Sequence, residues 1–161
     1  MAPGYTMLPH SGSTAVPAGR QADAHAEQRR EAFELPSCAS SVAEARHRTL
    51  SRLAAWCVQE ETRDNAALIL SELFTNAVVH SACSTVLCEL VDDRQRQRLQ
   101  VRVRGGQGCG APEPGRLAPE EEHGRGLMLV EALSTAWGIE DGGQERGWSV
   151  WAHLTRPGDR P

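Results

Sequence analysis

Apolar residues recur along this chain at two different periods, and the switches between them mark out the elements. Val42, Ala45, Thr49, Leu53 and Trp56 fall on one side of a 3.6-residue turn, which predicts a helix over about 42–58. Ser41-Val-Ala-Glu44 at its start has the form of a capping box, with Ser41 and Glu44 each satisfying the other's backbone amide. Thr62 or Asp64 is placed to cap a second helix, over about 63–80. Thr85–Val91 and Arg98–Val103 then alternate residue by residue across the polar turn Asp92-Asp93-Arg94-Gln95. That period predicts an antiparallel hairpin with one face on the helices. Leu127, Val130, Glu131 and Leu133 return to helical spacing, over about 125–136, and Trp137–Ile139 and Gly147–Leu154 follow as a closing hairpin around Gly142-Gly143. Ahead of all of these, Ala32–Pro36 alternates into a proline, as a short edge strand does.

Two stretches carry neither period. Residues 1–32 are Gly, Pro, Ala, Ser, Gln and charge, and read as a mobile tail. The domain then spans 33–155, with a short tail over 156–161. Between Gly105 and Gly124 lie glycines, prolines and the acids Glu120–Glu122, a loop of a length that in a compact domain usually serves as a lid or a binding loop.

Composition narrows the class. The 161 residues suit one domain, and 40% apolar with 24% charged residues is ordinary for a globular chain. A formal net charge of -4 argues against nucleic acid or an anionic membrane as the main partner. No apolar run reaches the roughly 18 residues that a spanning helix needs, and no export signal opens the chain, so a cytoplasmic location is expected. All basic charge is arginine, with no lysine. Five cysteines without a CxxC pair read as reduced thiols used as small apolar side chains, and the spacing His80-x2-Cys83-x4-Cys88 fits no common zinc pattern.

The chemistry concentrates in the second helix. Glu72, Asn76 and His80 stand four residues apart and line up on one side, while Leu70, Leu73, Phe74, Ala77 and Val78 cover the neighbouring surface in apolar groups. Asn76 offers a neutral oxygen suited to Mg²⁺, and Glu72 one turn earlier is placed to polarise a hydroxyl or water. Such residues also line the solvent side of ordinary amphipathic helices. Gly124-Arg-Gly126 leads into the third helix, where free amides and the helix dipole favour an anion. Positioning, metal charge and amide dipoles are most of what phosphoryl transfer asks of a protein.

Glu72-Leu-x-x-Asn76-Ala-x-x-His80, followed by Gly124-Arg-Gly126-Leu-x-Leu-Val130, resembles the ATP-binding domain shared by gyrase, a heat-shock chaperone, histidine kinases and MutL. More closely, the chain is similar to the small anti-sigma-factor serine kinases of the actinomycete type, over about 32–155, with Phe33–Pro36 and Gly147-x-x-Val150-Trp151 included. The resemblance implies an α/β fold, a Bergerat-type two-layer sandwich of three helices on one mixed, mostly antiparallel sheet. ATP with Mg²⁺ would lie between the second helix and a lid over about 105–124. It assigns Glu72 as general base, Asn76 as the Mg²⁺ ligand, and His80 as a residue near the phosphates or simply a cap on the helix end. Gly124, Arg125, Gly126 and Leu127 would surround the triphosphate as the second glycine box.

The first glycine box departs from the family pattern. Gly108 and Gly110 are present in Val103-Arg-Gly105-Gly-Gln-Gly108-Cys-Gly110, but the aspartate that accepts from the adenine amino group in the family is Gly105 or Gly106 here. The function implied is a regulatory serine/threonine protein kinase that phosphorylates a protein antagonist in a partner-switching pathway. Its partners would be a sigma factor, an anti-sigma antagonist, or a second copy in a homodimer. The alternative is a member that has lost the chemistry and sequesters its partner without nucleotide. Free-standing ATP hydrolysis and histidine kinase activity fit less well, for want of a transducer domain or a phospho-accepting helix.

Overall fold

The computed structural model describes residues 28–80, 83–105, 124–141 and 147–157. Five strands form one sheet: β1 (Gln28–Pro36), β2 (Thr85–Asp93), β3 (Arg98–Gly105), β4 (Ala136–Asp141) and β5 (Trp148–Thr155). Three helices lie on one face: α1 (Ser41–Ala55), α2 (Glu60–His80) and α3 (Gly124–Leu133). The strand order is β1-β2-β3-β5-β4, and each neighbouring pair is antiparallel. The two-layer α/β sandwich expected above is therefore the fold, with its described sheet antiparallel throughout and no parallel component.

Alternation sorts the strand residues between the two faces. Val86, Cys88 and Leu90 of β2, Leu99, Val101 and Val103 of β3, and Val150, Ala152 and Leu154 of β5 join one core. Burial pushes the Cys88 thiol up to about 12, so it behaves as an apolar side chain. The other face carries Arg98, Gln100, Arg102 and Arg104 on β3, opposite His153 and Trp151 on β5. Burial there, with Arg98 and Arg102 nearby, holds the His153 imidazole below its ordinary pKa.

α2 is the central helix, packed by α1, by the sheet and by α3. Ala66, Ile69, Leu70, Leu73, Phe74 and Ala77 are essentially inaccessible. Enclosure on three sides leaves one polar strip, and Glu72, Asn76 and His80 occupy it, each half-buried.

Local signals were weaker guides to element ends. β1 starts at Gln28, not at 32, because β2 supplies partners along its whole length, from Gln28 opposite Asp93 to Pro36 opposite Thr85. The capping box does not form: Ser40 is the cap residue, already helical at φ -67° and ψ -22° with no side-chain cap bond, and Glu44 accepts from Arg48 instead, at 2.7 and 2.9 Å. α2 begins at Glu60, so Thr62 and Asp64 lie inside its first turns and do not cap it. α1 stops at Ala55 in a Schellman turn. The Cys57 amide donates to the Ala54 carbonyl and the Val58 amide to that of Leu53, both at 3.0 Å, with Cys57 left-handed at φ 58°. The expected reduced thiol holds for Cys38, Cys57 and Cys88 but not for Cys83, which is disulfide-bonded.

A buried ionic cluster ties the ends of β1, β2 and β5 to this turn. Asp92, with no exposed surface, lies 3.0 Å from Arg29 Nη2 and 2.7 Å from Arg156 Nε; the second contact is an ion pair without hydrogen-bond alignment. Both arginines also donate to the Trp56 carbonyl, at 2.9 and 3.3 Å.

Candidate functional site

α3 brings the second glycine box to α2. Val130 anchors it in the core. Its last turn is fixed by Ser134, whose amide and hydroxyl both donate to the Val130 carbonyl, and by Thr135, whose amide donates to the His153 carbonyl at 2.8 Å. The first turn thereby comes against Glu72. A β-carbon built on Gly126 would stand 2.6 Å from Glu72 Oε2, so a glycine is needed for the helix and the carboxylate to approach this closely. A carboxylate beside a helix N-terminus is also electrostatically favourable.

Of the residues singled out in the sequence, the structure brings together Glu72 and Gly126, from opposite ends of a 54-residue separation. Asn76 lies one turn further along the same strip of α2, half-buried, and His80 closes that helix as its last residue. Gly124 and Arg125 open α3, and Leu127 follows Gly126 half-buried. Gly108 and Gly110, and the lid between Gly105 and Gly124, lie outside the described residues. Among the described residues no group of His, Cys, Asp and Glu forms a metal centre of protein ligands, so any Mg²⁺ here would draw ligands from phosphate and water beside Asn76.

Of the two positions open to the family's missing aspartate, Gly105 and Gly106, only Gly105 is among the described residues. Gly105, the last residue of β3, is buried, and a β-carbon there would meet Cys83 Sγ and Trp148 Nε1, each at 2.9 Å. An aspartate at that position has no room beside the indole. Trp148 is 3% exposed, and its N–H has no hydrogen-bond partner. The alternation of β5 already set position 148 on the side of Val150 and Ala152, but no sequence signal paired it with Gly105. Two hollows elsewhere belong to other features: one of about 510 Å³ lies between β1 and α1 beside the Glu31–Arg52 ion pair, and one of about 390 Å³ on the open sheet face beside Arg98 and Arg102.

The model of the histidine kinase-like ATPase domain matches residues 35–152. The chain belongs to this family. Among curated proteins none matches the chain. The match takes in all three helices, the end of β1 from Leu35 and the strands β2 to β4, and ends inside β5, so Glu72, Gly105, Gly126 and Trp148 all lie within the ATPase domain. Such a domain fits an ATP-dependent kinase or ATPase. The Glu72 carboxylate, the Asn76 amide oxygen and a glycine open to close approach would suit a nucleoside triphosphate, while among the described residues no carboxylate stands at Gly105. No helix among the described residues is long and apolar enough to cross a membrane.

Proposed function

We propose that the chain is a regulatory protein kinase of the anti-sigma type, which binds Mg-ATP and transfers the γ-phosphate to a serine or threonine of a protein antagonist. The observation that carries this reading is the approach of the Glu72 carboxylate to Gly126 at the start of α3, with Asn76 one turn along the same helix.

Each residue has a separable task. Glu72 takes the proton from the acceptor hydroxyl, whose oxygen bonds to the γ-phosphorus as the bond to ADP breaks. Asn76 supplies an oxygen toward Mg²⁺, which when bound neutralises charge on the phosphate oxygens. The amides at Gly126 and Leu127, at the positive end of α3, attract the phosphates. Arg125 and Gly124 flank them in the same turn, and His80 either assists at the phosphates or caps α2.

Calorimetric titration with a Mg-ATP analogue, paired with phosphate transfer to the antagonist, tests the proposal. Glu72→Ala should retain nucleotide binding while transfer falls about 10²- to 10⁴-fold, the usual worth of a general base. Asn76→Ala should weaken Mg-ATP itself. Normal transfer by the Glu72 variant would exclude the mechanism.

The absence of room for a carboxylate at Gly105 favours a second reading, in which the fold serves as a sequestering module that needs no nucleotide. No heat at millimolar nucleotide, with partner binding intact, would select it.

A further inference from the structure

Among the described elements the helices cover one face of the sheet, and the other face is unlike a merely solvated surface. β3 presents Arg98, Gln100, Arg102 and Arg104 there at every second position, a row of about 20 Å at the rise of a strand. Arg30 of β1 faces the row across the hollow of about 390 Å³. On β5, Trp151 stands opposite Arg102 and His153 opposite Gln100, with their ring centroids 4.5 Å apart. A β-carbon on Gly138 of β4 would come within 2.8 Å of the Trp151 ring, so the indole rests on bare backbone.

The charges of this face are incompletely matched. Arg102 pairs with Glu140 at 3.3 Å and Arg104 with Glu89 at 4.0 Å, and the buried Arg102 Nε has no hydrogen-bond partner. Arg30 and Arg98 enter no ion pair among the described residues. Asp93, the other carboxylate of the hollow, is taken up by Arg96. The surplus is cationic, and a neighbour registers it: burial, with Arg98 and Arg102, disfavours the charged form of the His153 imidazole.

Guanidiniums suit carboxylates, which they bind through two parallel N–H groups. The length of the row selects an extended ligand over a single small anion. Glu89 and Asp93 select its class. A phosphodiester backbone brings only negative charge to them, whereas a polypeptide has amides that donate to carboxylates as well as acidic side chains for the arginines.

We propose that the open face of the sheet docks an extended, acidic segment of a partner protein, with its carboxylates on Arg30, Arg98, Arg102 and Arg104 and Trp151 beside them as an apolar contact. Glu72 and Gly126 belong to helices on the opposite face, so this docking needs no nucleotide.

The test is a titration of the full chain, without nucleotide and at low salt, with a synthetic octapeptide alternating glutamate and serine, which in extended form sets every carboxylate on one side. The same peptide with glutamine for glutamate, tripolyphosphate and a short single-stranded DNA are the comparisons. The acidic peptide should bind, less tightly as salt rises, and the glutamine peptide should not. The His153 pKa, followed by proton NMR, should rise on saturation, because an added anion offsets Arg98 and Arg102. Arg98→Gln together with Arg102→Gln should weaken the peptide about tenfold, for two ion pairs on a screened surface. Failure of the acidic peptide to bind, or binding that leaves the His153 pKa where it was, overturns the proposal. DNA bound as tightly as the peptide overturns the choice of a polypeptide, and tripolyphosphate bound as tightly overturns the extended ligand. A dimer in sedimentation that the double variant converts to monomer assigns the face to a second copy instead. The His153 measurement is made on the unaltered protein and decides the matter even if the double variant fails to fold.

Discussion

At the Arg98 end of β3 the neighbouring strand carries Asp92, a carboxylate with no exposed surface, between the guanidiniums of Arg29 and Arg156. At the Gly105 end of the same strand, the buried Trp148 N–H meets no acceptor. Both ends are buried and both hold polar atoms without hydrogen bonds, Asp92 Oδ1, Arg29 Nε and Arg156 Nε at the first and Trp148 Nε1 at the second, but only at the first do opposite charges face each other. Charges enclosed with their counterions hold β1, β2, the last residues of β5 and the end of α1 in one arrangement. The indole N–H next to a glycine, by contrast, has no counter-charge and ties no strands together. Stability is therefore expected to depend more on the first end than on the second.

Removing the buried anion is the most severe way to test that division. Asp92→Ala leaves two arginines without their partner and should cost about 3–5 kcal/mol in denaturant unfolding. A loss under about 1 kcal/mol would mean that the ionic end is not what holds the strands together.

A methyl group placed at two glycines sharpens the contrast. Gly105→Ala drives its β-carbon against the Trp148 ring and Cys83, neither of which is free to retreat, and should destabilise by about 1–3 kcal/mol, the usual cost of overpacking. Gly126→Ala meets only the far end of the Glu72 side chain. In a helix it should be neutral or stabilising, by up to about 1 kcal/mol. By pushing the carboxylate aside it should still reduce phosphate transfer strongly. Full transfer by Gly126→Ala would show that the approach of Glu72 to α3 has no role.

The smallest effect concerns acid. Burial opposes the Asp93 charge, but the Arg96 amide and guanidinium, at 3.0 and 2.9 Å, hold its pKa below the ordinary 3.8. The stabilisation is present above that value and is lost as pH falls through the lower folded one. His153, held below its ordinary 6.5, works in the same direction, because below 6.5 the unfolded chain takes up the proton more readily than the folded one. Unfolding free energy should therefore decline in two stages on acidification. His153→Gln should flatten the upper stage and Asp93→Asn the lower, each by less than about 1 kcal/mol. A single stage, unchanged by either substitution, would assign the acid response to other groups.

Much of this arrangement was legible in the sequence. The periods along β2, β3 and β5 set Val86, Val101 and Val150 inward, and helical spacing put Glu72 and Asn76 on one strip of α2. Those patterns are local, and burial of one face enforces them. The caps were misread at Ser41 and Thr62 because a cap depends on the backbone of the incoming turn, and Ser40 arrives already helical. The start of β1 was misplaced because strand length is set by the partner strand, more than 50 residues away in sequence.

The chain by itself determined which residues face the core, that Glu72 and Asn76 share one side of a helix, and that the first glycine box has no aspartate. Only the tertiary structure decided that Gly105, one of the two positions open to that carboxylate, is bordered by Cys83 and Trp148, and that Glu72 comes against Gly126. Both are contacts between elements far apart along the chain, and periodicity, which reports a residue's face, cannot report its neighbour across the fold.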